Sequence, residues 1–463
     1  MLRVWQSQCI ETAIKKYTCG ESHFLAQATP GAGKTIMAAN LAKWLLDADL
    51  IDIVLCFSPS KVVAIDIART FSRVTNCSFN GNIGSIGCSM TYQSLAYLGK
   101  QFWDTLSKYR VFCVFDEIHH CAGDSELNVN SWGYHVLYNV QQAATYTLAL
   151  TGTPWRSDLN PVALASYSDP EGKIICDYRY SLSDAVRDGV CRKPKVAIVD
   201  GQCLGERAYK GEQLYGSITA LVSSDSFSYS SVLKSQTALA FIIEKAVCRL
   251  DRIRISNPHA GGLIVASSVA HAQLIARMLI TDFKQSLVVV TYKEEAPLER
   301  INEFKTNNIQ WIVSVGMVSE GTDIPRLQVC CHLSNVKTEL YFRQILGRIL
   351  RSTLEPNQEA WLYTFAEPKL IEFAEQIEKD IPDSCLYLRE DTVSEKTNGM
   401  IEVKDDSLPP STIGKKASIR FDELVWEEKV SDVNEGTQHS TDSDTVKLDH
   451  FKQRVIEAFQ YLR

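Results

Sequence analysis

Continuous apolar runs alternate with longer amphipathic stretches over residues 1–170. The runs lie at 23–28, 51–57, 111–116 and 146–150. Two of them read V-F-C-V-F and T-L-A-L, without the polar alternation of a half-exposed strand. Such strands are typical of a parallel sheet that helices cover on both faces. The pattern therefore predicts a first α/β domain at 1–170.

A second block of the same kind occupies residues 236–370. Its apolar runs lie at 262–266, 287–291, 311–315, 329–333 and 360–365. The intervening segment 171–235 is more polar and includes a Ser-rich stretch, so we expect a connector or insertion there. Two βα blocks joined in this way predict two α/β lobes in tandem, with a cleft between them.

Residues 371–463 predict a C-terminal extension of different character. They contain 21 acidic and 12 basic side chains, a net charge of −9, whereas the total is −7 and residues 1–370 carry +2. The stretch 386–446 is polar and poorly periodic, which indicates loose order. The apolar spacing within 448–462 predicts an amphipathic helix. We expect this extension to bind a protein partner.

Composition narrows the class of protein. The 463 residues exceed one ordinary core, so two or three domains are expected. No apolar run reaches the roughly 18 residues of a membrane span, and no signal segment is recognisable at the N-terminus. The 14 cysteines show no C-x-x-C pair. We interpret them as reduced residues of a cytoplasmic protein that does not bind membranes.

The stretch A-T-P-G-A-G-K-T at 28–35 follows an apolar run and precedes a helical stretch. Small residues let main-chain N–H groups surround phosphate oxygens, and the following helix directs its positive end toward them. In this phosphate loop, Lys34 would reach the β- and γ-phosphates of ATP and Thr35 would hold Mg²⁺. The strict pattern begins with Gly, where this chain has Ala28. The other predicted nucleotide-binding positions are Thr29, Gly31, Ala32 and Gly33.

The stretch D-E-I-H-H at 116–120 ends the buried run V-F-C-V-F. A carboxylate at the end of a strand in a nucleotide-binding sheet can hold Mg²⁺, which favours Asp116 as a ligand. Glu117 would then orient or activate the attacking water. A metal site formed by His119, His120 and Cys121 is an alternative, although three consecutive residues converge poorly on one ion.

Together these motifs resemble those of superfamily 2 helicases and translocases of the D-E-x-H type, over about residues 1–370. Further matches in the same order are L-R-V-W-Q, F-S-P-S, T-Y-Q-S-L, T-G-T-P, S-E-G-T-D-I-P and Q-I-L-G-R-I-L-R. The resemblance implies two RecA-like lobes with ATP between them. It is closest in character to the helicase-like ATPases of restriction and repair systems.

The resemblance also implies roles for individual residues. Gln6 would read the adenine, and Gly321 and Asp323 would contact ATP from the second lobe. His119, Thr151 and Thr153 would couple hydrolysis to strand movement. Contacts to the nucleic-acid backbone would come from Ser58, Thr91 and Thr322. The final motif would supply Gln344, Arg348 and Arg351 to catalysis, the two arginines as arginine fingers.

The positions of the two arginines agree with that implication. Arg348 and Arg351 are three residues apart, so in a helix they share one face. Phosphoryl transfer is catalysed mainly by positioning and charge neutralisation, so an arginine from another lobe can complete the site. ATP bound to the first lobe would then recruit the second lobe, and hydrolysis would release it.

Three functions remain open from the sequence. The first is an ATP-dependent translocase or helicase on nucleic acid, with DNA favoured over RNA by the motifs D-E-I-H and T-G-T-P. The second is an ATPase motor or switch subunit of a larger complex, such as a restriction or anti-phage system, without unwinding of its own. The third is a non-catalytic scaffold with a degenerate nucleotide site, which the intact Lys34, Asp116, Glu117 and Arg351 disfavour.

Overall fold

The computed structural model describes residues 2–123, 130–156, 158, 160–168, 171–207, 211–224, 227–291, 297–316, 324–353, 355–379 and 445–461. All of them belong to one compact unit of the chain. Within it, two separate and largely parallel sheets are each flanked by helices. The predicted α/β fold with two lobes in tandem is therefore confirmed.

The first lobe is built on a sheet in which all strands are parallel, in the order β3-β2-β4-β5-β1-β8. Its strands are β1 His23–Ala28, β2 Ile53–Ser58, β3 Gly87–Thr91, β4 Val111–Asp116, β5 Tyr146–Thr151 and β8 Tyr178–Tyr180, with a small separate pair, β6 Ser166–Tyr167 and β7 Ile174–Ile175. Its helices are α1 Val4–Thr18, α2 Lys34–Asp47, α3 Lys61–Thr75, α4 Lys100–Leu106, α5 Ser131–His135 and α6 Gln141–Ala143.

Helices cover both faces of the first sheet, as the continuous apolar runs predicted. Along β4, Phe112 and Val114 join one hydrophobic cluster, whereas Cys113 and Phe115 join a second cluster on the other face. Since β4, β5 and β1 are neighbours, the segments that follow them meet at one edge of the sheet. These segments are the phosphate loop, D-E-I-H-H and T-G-T-P.

The second lobe follows α7 Leu182–Arg187 and has the strand order β10-β9-β15-β14-β11-β13-β12. Its strands are β9 Lys193–Arg207, β10 Gly211–Tyr215, β11 Gly261–Ala266, β12 Leu287–Val290, β13 Trp311–Ser314, β14 Leu327–Leu333, β15 Glu359–Phe365 and β16 Thr445–Glu457. Its helices are α8 Ile218–Ser223, α9 Tyr229–Lys234, α10 Gln236–Ser256, α11 Val269–Thr281, α12 Pro297–Thr306, α13 Glu339–Ile349 and α14 Pro368–Glu375.

The second sheet begins earlier in the chain than the expected boundary at residue 236. The 15-residue strand β9 lies in the stretch 171–235, which was expected to be a connector. It pairs in parallel with β15 from Lys193 to Val199, so it belongs to the second lobe. The connector is therefore shorter than predicted, since α7 ends at Arg187.

The predicted amphipathic helix at 448–462 is wrong. The structure has the strand β16, which pairs antiparallel with β9 from Lys195 to Glu206. Val455 is exposed on this strand and Phe459 lies beyond its end at Glu457, so the helix-like spacing of the apolar residues does not mark one buried face. Phe451 stacks on Phe241 of α10, with ring centroids 4.4 Å apart. This part of the extension is thus joined to the second lobe.

Two further observations concern the membrane-spanning potential and the cysteines of the described residues. No helix among the residues described above combines the length and apolar character needed to cross a membrane. The cysteines in these residues are free thiols, and many, such as Cys56 and Cys330, are buried in the strands.

Candidate nucleotide site

The phosphate loop connects β1 to α2 and has the backbone that the motif requires. Gly31 and Gly33 have φ values of +83° and +94°, in the left-handed region that favours glycine. Helix α2 begins at Lys34, so its unpaired N–H groups and the positive end of its dipole lie at the loop. The local structure is therefore suited to binding an anion.

The N-terminal segment holds this loop from one side. Gln6 is buried and donates through Nε2 to the Gly33 carbonyl at 3.0 Å. Arg3 donates through Nη1 to the Ala32 carbonyl at 2.6 Å, and its main-chain N–H donates to Gln6 Oε1. Gln6 thus lies beside the loop, as a residue near the nucleotide should. Arg3 was not predicted, because an arginine that binds a distant carbonyl leaves no local pattern.

Lys34 and Glu117 form an ion pair at the edge of the first sheet. Lys34 Nζ is 3.1 Å from Glu117 Oε1 and also donates to the Ala28 carbonyl at 3.2 Å. The other carboxylate oxygen of Glu117 accepts from the Gly152 N–H at 3.2 Å. Glu117 has φ +52°, a left-handed conformation that is uncommon for a residue with a side chain. Three predicted motifs therefore meet here.

The two adjacent carboxyl groups have opposite pKa shifts. Burial raises the pKa of Asp116, and the neighbouring charge of Glu117 raises it further, against the attraction of Lys34 and Arg348. Burial also raises the pKa of Glu117, but Lys34 and His119 outweigh it, so that its pKa lies below the ordinary value. Glu117 is therefore the carboxylate that stays ionised, whereas a nearby cation would favour the ionised form of Asp116.

The residues predicted to couple hydrolysis to movement form a hydrogen-bonded chain. His119 Nδ1 lies 2.9 Å from Thr151 Oγ1 and 3.4 Å from Glu117 Oε2. Thr151 Oγ1 also accepts from the Thr153 N–H at 3.1 Å. All three predicted coupling residues are buried, and burial lowers the pKa of His119 to about 4, so its ring is neutral. This chain connects Glu117 to T-G-T-P.

The second lobe touches the phosphate loop at Pro30. A Cβ atom added to Gly347 of α13 would lie 2.6 Å from the Pro30 Cβ, so only glycine permits this approach. On the other side, a Cβ added to Gly152 would lie 2.9 Å from the Pro30 Cδ. A Cβ on Gly31 would be 3.7 Å from the Cα of Arg351. Pro30 is thus enclosed by T-G-T-P and by the final motif.

The final motif lies on α13 and just after it. Gln344 and Arg348 are helical residues that are half-buried, and Arg351 follows the helix end. The charge of Arg348 is close enough to lower the pKa of Asp116 in the other lobe. A further contact between the lobes was not predicted: the Arg343 guanidinium lies 5.5 Å from the ring centroid of Trp155. An arginine and a tryptophan in distant motifs give no sequence signal for this pairing.

The predicted nucleic-acid contacts have mixed outcomes. Ser58 is completely buried, and its hydroxyl donates to the carbonyls of Ser60 and Met90 at 3.3 and 3.4 Å. That position does not fit the prediction that its side chain contacts a nucleic-acid backbone. Thr91 is half-buried, with Oγ1 3.1 Å from Ser94 Oγ. Gly321, Thr322 and Asp323 lie outside the described residues.

Known proteins resemble this chain in sequence and in fold. The family model of the type III restriction enzyme res subunit matches residues 1–156. An uncharacterized protein of Mycobacterium leprae is 31% identical over 396 residues, which cover 81% of this chain and 64% of the relative. The DNA 3'-5' translocase XPB2 of Sulfurisphaera tokodaii is 24% identical over 388 residues, covering 76% of this chain and 78% of that protein.

A solved structure agrees in fold. A fragment described as an HsdR subunit of a type I restriction enzyme from Vibrio vulnificus has a TM-score of 0.56 at 17% identity. The alignment covers 82% of this chain and 67% of that structure. The predicted resemblance to helicase-like ATPases of superfamily 2 is confirmed. The chain spans about 64% of the length of the mycobacterial relative.

The donor groups at this site fit the ligands that the resemblance implies, ATP and Mg²⁺. Gly31 and Gly33 leave open a cradle of main-chain N–H groups, beside the ammonium of Lys34. The Thr35 hydroxyl and the Asp116 carboxyl are hard oxygen donors, which Mg²⁺ prefers. Burial raises the pKa of the Asp116 carboxyl, and a cation bound there would favour its ionised form.

Proposed function

We propose that this protein hydrolyses ATP between its two lobes and uses the cycle to move along nucleic acid, with DNA favoured. The observation that carries the proposal is the contact between the phosphate loop and the second lobe. Pro30 meets Gly347, and Gly31 meets Arg351, beside the ion pair of Lys34 and Glu117. A catalytic group from one lobe can thus reach a nucleotide held by the other.

The chemistry follows from this arrangement. A bound phosphate would compete with Glu117 for the ammonium of Lys34, which leaves the Glu117 carboxylate available to orient water. Thr35 and Asp116 would hold Mg²⁺, which neutralises phosphate charge when bound. Arg348 and Arg351 would stabilise the charge that develops on the transferred phosphoryl group, with Gln344 beside them. The nucleotide contacts of Gln6, Thr29, Gly321 and Asp323 are part of the same proposal.

Mechanical work would come from coupling the two lobes. The chain from Glu117 through His119 to Thr151 and Thr153 connects the proposed water-orienting group to a segment that touches Pro30. ATP would favour the closed arrangement and hydrolysis would release it, which is a hinge motion. Thr91 and Thr322 remain candidates for backbone contacts on the nucleic acid.

The preference for DNA rests on two kinds of support. One is the pair of motifs D-E-I-H and T-G-T-P, and the other is the 24% identity to a protein named as a DNA translocase. The free, largely buried thiols favour a reducing compartment such as the cytoplasm. A protein partner that binds through the C-terminal extension is the remaining part of the proposal.

A second candidate function is a motor or switch subunit within a larger assembly. It is favoured by the match to the res subunit model and by the likeness in fold to an HsdR-type subunit. In that case ATP turnover would respond to DNA, but the isolated chain would not separate strands.

The test is ATP turnover measured with single- and double-stranded DNA and RNA. We expect DNA to stimulate turnover more than RNA, and Lys34→Ala to abolish the stimulated activity. Equal stimulation by RNA would contradict the DNA preference, and no stimulation by any polynucleotide would contradict the motor. A strand-displacement assay beside a triplex-displacement assay then separates unwinding from translocation, since a translocase without unwinding removes only the third strand.

A further inference from the structure

Arg192 is a buried arginine at the start of the second lobe, with only 2% of its surface exposed. Its guanidinium has five N–H groups, and the structure provides five acceptors for them. The acceptors are the Leu327 carbonyl (2.6 Å), the Ile349 carbonyl (3.1 Å), Gln358 Oε1 (3.1 Å), the Pro325 carbonyl (3.3 Å) and Thr353 Oγ1 (3.4 Å). The hydrogen-bonding capacity of this side chain is therefore fully used.

None of these five acceptors is a carboxylate. The positive charge is instead compensated by carbonyl dipoles, including that of Ile349 at the negative end of α13. Burial lowers the pKa of Arg192 to about 10, because the charged guanidinium is removed from water. A lysine has three donors on one nitrogen and cannot occupy five acceptors spread over a planar fork.

The main chain on both sides of Arg351 is attached to the same short segment. The Arg192 N–H donates to the Leu350 carbonyl at 2.6 Å, and the Ser352 N–H donates to the Val190 carbonyl at 3.3 Å. Between them, Cys191 and Arg351 form an antiparallel bridge. The Arg192 side chain also donates to the Ile349 carbonyl before this bridge and to the Thr353 hydroxyl after it.

Gln358 completes the fixation of this turn. Its Oε1 accepts from Arg192 Nε, from the Thr353 N–H at 3.0 Å and from the Ser352 hydroxyl at 3.2 Å. Its Nε2 donates to Thr353 Oγ1 at 3.2 Å. The segment that carries Arg351 is thus held by one connected set of hydrogen bonds centred on Arg192.

We propose that Arg192 is a positioning residue, which fixes the main chain of Arg351 against the phosphate loop and so sets the reach of the Arg351 guanidinium. The inference rests on the proposed ATPase function. Arg192 also donates to the carbonyl of Pro325, the last residue of the motif S-E-G-T-D-I-P. Its side chain therefore connects two motifs of the second lobe to the connector between the lobes.

The chain contains a matched control in Arg326. This arginine also lies in the second lobe and donates to three main-chain carbonyls, those of His259, Phe304 and Ile309, at 2.6–2.7 Å. Burial lowers its pKa to about 10, as for Arg192. None of these bonds reaches the connector, α13 or the phosphate loop. Arg326 is half-buried, and Arg326→Lys therefore removes a similar set of carbonyl bonds, none of which involves residues 349–353.

The first measurement is hydrogen–deuterium exchange in the intact chain for Arg192→Lys, Gln358→Ala and Arg326→Lys. We expect faster exchange at 349–353 in the first two variants, with no change in β4, and no such change in Arg326→Lys. Gln358→Ala is the milder variant if Arg192→Lys folds poorly. Unchanged exchange at 349–353 in both variants would overturn the proposal, whether or not the protein hydrolyses ATP.

The second measurement is a double-mutant cycle on ATP turnover. Arg192→Lys should lower kcat about 100-fold at nearly constant KM for ATP, since a small displacement of a catalytic group has an effect of that order. In an Arg351→Ala background it should have less than about a two-fold further effect, because it acts through Arg351. If the reductions in kcat caused by Arg192→Lys and Arg351→Ala multiply in the double variant, the proposal is overturned. Absence of turnover in the wild type would contradict the ATPase function and leave the exchange result to decide on Arg192.

Discussion

The main chain of Arg351 lies beside Gly31, close enough that a Cβ atom on residue 31 would be 3.7 Å from the Arg351 Cα and Cβ. The two residues belong to different lobes. A phosphate held by the loop would therefore be adjacent to the segment that carries the second lobe's arginines.

Glu117→Gln separates binding from chemistry. The amide keeps the size of the side chain and cannot accept a proton, so we expect ATP to bind while kcat falls by about 10²–10⁴-fold. ATP affinity and steady-state turnover measure the two effects. Glu303→Gln, an exposed change on α12, is the control and should leave both unchanged. A large loss of ATP affinity with kcat preserved would contradict the role of Glu117.

Arg351→Ala should behave as the loss of a group that acts in the transition state. We expect ATP affinity to stay within a few-fold and kcat to fall by about 10³-fold, the scale seen when an arginine finger is removed. Arg348→Ala should act in the same direction. Single-turnover kinetics measures the rate of hydrolysis in each variant, and the exposed Arg252→Ala is the control. If affinity drops and kcat does not, Arg351 is a ground-state ligand.

Gly347→Ala tests the contact between α13 and the phosphate loop. The new Cβ would lie 2.6 Å from the Pro30 Cβ, so the lobes must separate slightly. Overpacking of this kind costs about 1–3 kcal/mol, and the same cost in the transition state would slow turnover by about 5- to 160-fold. Gly216→Ala has open space around it and is the matched control. Turnover equal to wild type in Gly347→Ala would show that the lobes do not meet here during catalysis.

Phe451→Ala tests the position of β16 in the second lobe. Loss of the stacking on Phe241 and of part of the buried ring should lower the free energy of unfolding by about 2 kcal/mol. Chemical denaturation measures the change, and Lys452→Ala, an exposed neighbour, should have little effect. Deletion of 386–463 removes all of β16 and should reduce ATP turnover as well as partner binding. Retention of full turnover after that deletion would contradict this placement.

The sequence was sufficient for the phosphate loop and D-E-I-H-H because their chemistry is local. Glycines, a lysine and paired carboxylates at strand ends define the site, and strand order brings them together. The same holds for the parallel strands, whose continuous apolar runs require cover on both faces. Each of these features is encoded by neighbours in the chain.

The remaining features depend on distant main-chain groups. Arg3, Arg192 and Arg343 act through carbonyls or a ring that lie far away in sequence, so no spacing reveals them. The strand β16 was mistaken for a helix because its apolar residues do not all lie on one buried face: Val455 is exposed, and Phe459 lies beyond the end of the strand. The burial of Ser58 could not be predicted either, because its hydroxyl contacts main-chain carbonyls.

The most direct test of the central claim is an experimental structure with a non-hydrolysable ATP analogue and Mg²⁺. We expect Lys34 to leave Glu117 for the phosphates, and the guanidinium groups of Arg348 and Arg351 to contact the γ-phosphate across the cleft. A bound analogue that both arginines leave untouched, with the Lys34–Glu117 pair intact, would contradict it.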